Sequence, residues 1–249
     1  VSQADRFFGE VRAGLWTALV RDERHGPLPG LLVLLTVVSG IADAVSVLRL
    51  DHVFVANITG SVIFVGLALS GAHGFSITAP FLALAAFAGG AVDGGLLVRP
   101  PVPHRGKALR TAAFLQLADL VTCTGIAAAS GGHPGEGDRY LLVVLLASGM
   151  GAKSAIVRRV DVPGLTTSVF TTTLTGLASD APRGGWHGAQ FRVRIVALLA
   201  LFGGAIAGAL LVLRTSLWCP LGLASAVLLA TTWWAIRASA VTASWTSSG

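Results

Sequence analysis

Between residues 30 and 236 the chain divides into eight apolar segments, 30–48, 52–71, 77–98, 111–130, 140–157, 162–179, 195–213 and 215–236. Each is close to the roughly 20 residues that a helix needs to cross the hydrocarbon of a bilayer. No other feature restricts the fold as strongly. The rest of the composition agrees: only 12% of the 249 residues are charged and 53% are hydrophobic, with a mean hydropathy of +0.75. A globular domain carries about 25% charged residues, and half that share leaves too little polar surface to cover the apolar area in water. The chain therefore reads as an all-α, polytopic helical membrane protein.

Several function classes are excluded by what accompanies these segments. Cys123 and Cys219 both lie in apolar stretches, so a disulfide framework or a cysteine zinc site is not expected. The sequence pI near 10.6 comes from basic residues scattered at segment ends, without the stripe and interleaved aromatics of a nucleic-acid surface. The six histidines, at positions 25, 52, 73, 104, 133 and 187, have no ligand spacing. No Walker loop, dinucleotide fingerprint, Gly-x-Ser-x-Gly or His-Glu-x-x-His motif occurs. The expectation is a protein that is not an enzyme and uses no cofactor or metal. Its expected partners are the lipid bilayer and a small-molecule or ion substrate; a homo-oligomer is left open.

Residues 1–27 form a charged preface. Phe8, Val11, Leu15 and Leu19 recur at helical spacing, which reads as an amphipathic segment at the cytoplasmic interface. No apolar run precedes Gly30, so a cleavable signal peptide is not expected. A single transmembrane domain follows over 28–237, then a tail over 238–249.

The distribution of basic residues tests the number of crossings. With eight crossings and a cytoplasmic N-terminus, 9 fall inside and 8 outside, leaving Lys153 in the membrane. If 52–71 and 162–179 instead dip in and return, the division becomes 14 inside against 3 outside, Arg49, Arg139 and Arg214. Only the second agrees with the positive-inside bias. These two segments are also interrupted by polar and turn-forming residues, His52, Asn57, Thr59, Gly60 and Ser61 in one, Pro163, Gly164 and the Thr-rich run Thr166 to Thr175 in the other. Six spanning helices plus two re-entrant hairpin segments are therefore favoured over eight spans, in a bacterial plasma membrane with both termini cytoplasmic. This topology puts Ala72 outside and Ala108 inside.

An internal repeat points the same way. Gly89 to Val98 matches Gly203 to Val212 at seven of ten positions. Ser39-Gly40 and Asp43-Ala44 match Ser148-Gly149 and Ser154-Ala155 with small gaps, and Gly66-Leu67-Ala68 matches Gly176-Leu177-Ala178. Two pseudo-repeats emerge, 30–130 and 140–236. With three crossings in each, the second begins on the opposite side, an inverted repeat of the kind that builds a site near the midplane.

Ionisable groups inside lipid are costly, which singles out Asp43, Asp119 and Lys153. Asp43 is deep from both ends of its segment; it is either a proton, cation or substrate contact, or it satisfies amides freed at the hairpin. Lys153 occupies nearly the equivalent place in the second half, where it either pairs with Asp43 or snorkels toward Arg158. Gln116 and Asp119 share one helical face, touching a substrate or cross-linking helices. The hairpins add Asn57, Thr59 and Ser61 on one side and Thr167, Thr171 and Thr173 on the other, dipoles suited to a neutral or zwitterionic solute or to an ion whose hydration shell they replace. Gly90/Gly94 and Gly204/Gly208 read as close-packing faces.

At these residues the sequence resembles the YoaK-like family of bacterial integral membrane proteins, a domain of unknown function. The resemblance covers about 30–236 and rests on Gly40 to Ser46, on His52 to Gly60, and on Arg158-Arg159 through Pro163, Thr166-Thr167 and Leu174 to Leu177. It implies a polytopic plasma-membrane protein and lends little function. The chain departs from the family pattern at Lys153-Ser154, where Gln-Asn is usual, and at Thr172, where Gly is usual; the first adds a charge and the second stiffens the hairpin. A secondary permease or exporter of a small polar solute or ion is the leading functional expectation, with Asp43 as its proton-responsive group. A passive channel and a non-transporting scaffold are the alternatives.

Overall fold

The computed structural model describes residues 26–98, 105–160, 175 and 189–239. Seven helices make up the regular structure among them: α1 (Leu28–Arg49), α2 (Ile58–Leu69), α3 (Thr78–Leu97), α4 (Arg105–Ala129), α5 (Glu136–Val160), α6 (Ala189–Arg214) and α7 (Trp218–Ser239). All except α2 are long and apolar enough to cross a membrane. Most of the expected amphipathic segment at 1–27, nearly all of the second hairpin at 162–179, with Thr167, Thr171, Thr172 and Thr173, and most of the tail at 238–249 lie outside the described residues.

The helix ends follow local chemistry. Pro29 sits in the first turn of α1, where its missing N–H costs nothing. Glu136 and Asp138 occupy the first turn of α5 and Arg158 and Arg159 its last, each complementing the helix dipole. α4 begins at Arg105, earlier than the apolar segment at 111: the helix extends past the hydrocarbon and carries Lys107 and Arg110 on its first turns rather than in a loop.

Contacts between glycines and facing backbone fix the helix directions. Gly90 and Gly94 of α3 meet the backbone of Ser148 and Ala152 of α5, so these two helices run parallel. Gly204 and Gly208 of α6 meet Val37 and Ile41 of α1, also in parallel. Each pair is closed from the other side as well, Gly151 against Phe87 and Ala91, and Gly40 against Leu201 and Ala205. The offset between corresponding contacts is constant: 111 residues from α1 to α5 and 114 from α3 to α6. Gly40 thus corresponds to Gly151, two residues beyond the Gly149 of the sequence match, whereas Asp43-Ala44 does correspond to Ser154-Ala155. Thr124 of α4 lies 3.2 Å from Ser225 of α7, and Gly132 beyond α4 touches Ser216 before α7, so this third pair is antiparallel.

Burial separates centre from rim. α1 and α5 are each 61% buried over their most apolar window, while α6 and α3 are 17% and 22% buried. The outward side chains, Phe81, Val92, Phe114, Leu199, Phe202 and Leu213 among them, are large and exposed, as lipid-facing surfaces are.

The first interrupted segment returns to the end where it began. α1 stops where Leu50 donates its N–H to the Ser46 carbonyl; Asp51 and His52 then take left-handed φ of 60° and 56° and reverse the chain. Residues 53–57 run back along α1, and α2 leads out again. At 1.5 Å per residue its 12 residues span about 18 Å, too little for a crossing. Phe75, just before α3, meets the His52 ring at 6.3 Å, so entry and exit are neighbours. Arg139 near the start of α5 bonds Asp51 at 3.0 Å, which places the end of α1 and the start of α5 together. Because α6 runs with α1, and α5 against it, residues 160 and 189 share the opposite end of the bundle. Six crossings satisfy every one of these contacts.

Candidate functional site

The hairpin is tied to α1 by one side chain. Asp43 Oδ1 accepts the backbone N–H groups of Val55 at 3.0 Å and Ala56 at 2.7 Å, and Oδ2 accepts the backbone N–H of Asn57 at 3.1 Å and its side-chain amide at 2.5 Å. These amides immediately precede α2, so the carboxylate also faces the positive end of a helix dipole. Four donors and a dipole compensate a charge that is only 5% exposed. Of the two duties expected for Asp43, the geometry supplies the architectural one: it satisfies backbone groups freed where the chain re-enters the membrane.

The other first-hairpin residues serve the same loop. Ser61 accepts the Phe54 N–H at 3.0 Å and donates to the Phe54 carbonyl at 2.7 Å. Phe54 stacks on Phe64, and Phe64 on Phe75, both at 5.6 Å. A Cβ on Gly60 would strike the Phe54 ring. Thr59 is exposed and joins no cluster. A cavity of about 410 Å³ opens beside this knot between α1 and α6, lined by Gly40, Asp43, Phe54, Asn57, Phe202 and Ala205.

Lys153 lies deeper, on α5, and is 1% exposed. Its ammonium donates to Ser39 Oγ on α1 at 2.7 Å and to Met150 Sδ at 3.2 Å. The Ser39 hydroxyl in turn donates a hydrogen bond to the Leu35 carbonyl at 2.9 Å. Lys153 therefore neither pairs directly with Asp43 nor snorkels toward Arg158; Ser39 is midway along α1, and the charge points to the bundle centre. Gln116 of α4 approaches the same sulfur, Nε2 to Sδ 3.2 Å, while its Oε1 is buried without a partner among the described residues. Asp119, one turn on, abuts Gly149 and makes no hydrogen bond or ion pair among the described residues. Asp93 stays apart from both groups, on the exposed side of α3.

Two constellations result, a saturated one around Asp43 and an unsaturated one formed by Ser39, Gln116, Asp119, Met150 and Lys153. Ser39 and Met150 escape a reading of the sequence as site residues. Ser39 carries a faint signal, one turn before Asp43 on the buried face; Met150 carries none, since a thioether in an apolar helix looks like filler. Among the described residues no His, Cys, Asp and Glu group of metal-binding size occurs.

Comparison with known proteins is consistent with the fold. A sequence profile described as a protein of unknown function, DUF1275, matches residues 31–234. The chain is 29% identical over 154 residues to the UPF0700 transmembrane protein YoaK of Bacillus subtilis (strain 168), a match covering 60% of this chain and 65% of that protein. No solved structure matches.

Proposed function

The chain belongs to the DUF1275 family of proteins of unknown function, a multi-pass membrane family, and from that premise we propose that it is a secondary transporter of a small polar solute or ion across the bacterial plasma membrane. The observation that carries this reading is Lys153: a cation at the centre of the bundle whose neighbours are a hydroxyl and a thioether. An ammonium buried in this way is expensive unless an anion joins it. The nearest carboxylate on α1, Asp43, is occupied by four N–H donors, and Asp119 of α4 makes no ion pair with Lys153 among the described residues, so the place of the counterion is open to an anionic group of the solute.

The two halves are read as an inverted duplication. Support comes from the constant offsets between the α1/α6 and α5/α3 contacts and from the equal burial of α1 and α5. In such folds the halves rock against each other about a midplane site. Because α1 packs on α6 and α3 on α5, the bodies that would rock are these two pairs; Ser39 belongs to the first and Lys153 to the second, so their bond crosses the boundary that would open. The basic residues favour an orientation with both ends of the chain in the cytoplasm.

The test uses proteoliposomes holding a pH-sensitive dye, under an imposed proton gradient, challenged with small carboxylates, amino acids and inorganic anions. Solute-dependent proton movement that disappears in Lys153→Met supports the reading. Solute flux indifferent to the gradient identifies a passive channel, and silence with every solute identifies a scaffold; either result overturns it.

A further inference from the structure

Two oxygen acceptors stand one turn apart on α4 with nothing to accept from among the described residues. Gln116 is 2% exposed. A thioether sulfur can only accept, so the amide nitrogen faces Met150 Sδ and Oε1 is the end left over. Asp119 is half-buried near the middle of its helix, against the backbone of Gly149, and nothing among the described residues donates to it. An orphaned buried acceptor and a bare carboxylate at membrane depth each carry a penalty. One atom removes both.

We propose that Asp119 is a proton-binding site, whose protonated carboxyl donates an O–H···O hydrogen bond to Gln116 Oε1. The bound proton neutralises the carboxylate and gives the amide the donor it lacks, and residues at i and i+3 are neighbours on a helix surface. A metal cation fits less well, because the side chains offer too few oxygens to replace a hydration shell. Binding forms one O–H bond with a proton drawn from water, and release breaks the same bond; no electrons move.

The titratable surroundings are sparse. On α4 the next is Cys123, buried one turn away; α5 brings Lys153; α7 brings only Cys219 and Arg237, near its two ends. Of these, Lys153 is linked to the site by contact: its ammonium and the Gln116 amide share Met150 Sδ at 3.2 Å each. When Asp119 releases its proton, Gln116 Oε1 again lacks a donor, and Lys153 is the cation able to turn toward it and away from Ser39. Proton release is thereby coupled to the bond that joins the two halves. Only this last coupling rests on the transport reading; the proton site itself does not.

Infrared difference spectroscopy on the purified full chain in nanodiscs separates the two claims. The carbonyl stretch of a protonated carboxyl is expected to appear as the pH is lowered, absent in Asp119→Asn and shifted to higher frequency in Gln116→Leu, which removes the acceptor. Gln116→Asn, which keeps an amide and adds no carboxyl band, is the control for folding. No band lost on substituting Asp119, or a band indifferent to Gln116→Leu, overturns the proposal. In the proteoliposome assay Asp119→Asn is expected to lose at least ten-fold of the proton-driven rate. A carboxyl band without any solute flux keeps the proton site and sinks the transport reading alone.

Discussion

Asp43 and Asp119 are both aspartates at membrane depth, yet their surroundings are opposites. Asp43 receives four N–H donors and stands before the positive end of α2; Asp119 receives none among the described residues. A carboxylate whose oxygens are all occupied is part of the architecture, since removing it strands the groups that bonded to it. One left bare contributes little to the fold and must be explained by what it binds. In lipid, the degree of hydrogen-bond satisfaction separates the two roles better than depth does.

The largest effect should therefore come from Asp43. Asp43→Ala leaves three backbone N–H groups and the Asn57 amide unpaired and is expected to cost about 3–6 kcal/mol, seen as loss of monodisperse protein or a sharply lowered melting temperature. Asp119→Asn should stay within about 1 kcal/mol of the parent; equal losses at the two positions would break the comparison. Next come neighbouring glycines that differ only in facing. A Cβ at Gly90 would lie 2.0 Å from the Ser148 carbonyl oxygen, whereas one at Gly89 meets nothing within 4 Å. Gly90→Val is expected to destabilise by about 2–3 kcal/mol through overpacking and Gly89→Val hardly at all, a contrast measurable by thermal aggregation in detergent.

Lys153 sharpens the same logic. Exchanging a buried, incompletely compensated cation for an apolar side chain of similar length should be neutral or stabilising by about 1–2 kcal/mol, so Lys153→Met is expected to melt no lower than the parent while abolishing solute flux. A variant that melts several degrees lower would make Lys153 a structural residue like Asp43. The smallest effect belongs to Arg139→Gln. Its bridge to Asp51 is partly exposed, with side chains 36% and 26% accessible, and such pairs contribute about 0–1 kcal/mol.

These contrasts also explain what the sequence could and could not disclose. The helices were legible because apolar length is a local property, and the glycine pairs because a bare backbone face has few other uses. Their partners were not, since nothing at Gly90 names Ser148. The depth of Asp43 followed from its distance to Gly30 and Arg49. Its duty did not, because the donors at Val55, Ala56 and Asn57 arrive only after the chain has reversed at Asp51 and His52. Lys153 was flagged by its charge, but the absence of a direct bond to Asp43 depends on that prior saturation. The two-residue slip between Gly149 and Gly151 has a similar origin: identity matching rewards Ser-Gly, while packing rewards whichever glycine faces the partner helix.

The pairing of α1 with α6 and of α3 with α5 means that each half lends a helix to the other. During synthesis, α1 enters the membrane more than 150 residues before α6 exists, and its Gly40 face must wait beside lipid or the insertion machinery. Neither half made alone would have a covering for its most buried helix. Made together as two separate polypeptides cut between α4 and α5, they should find one another and reassemble.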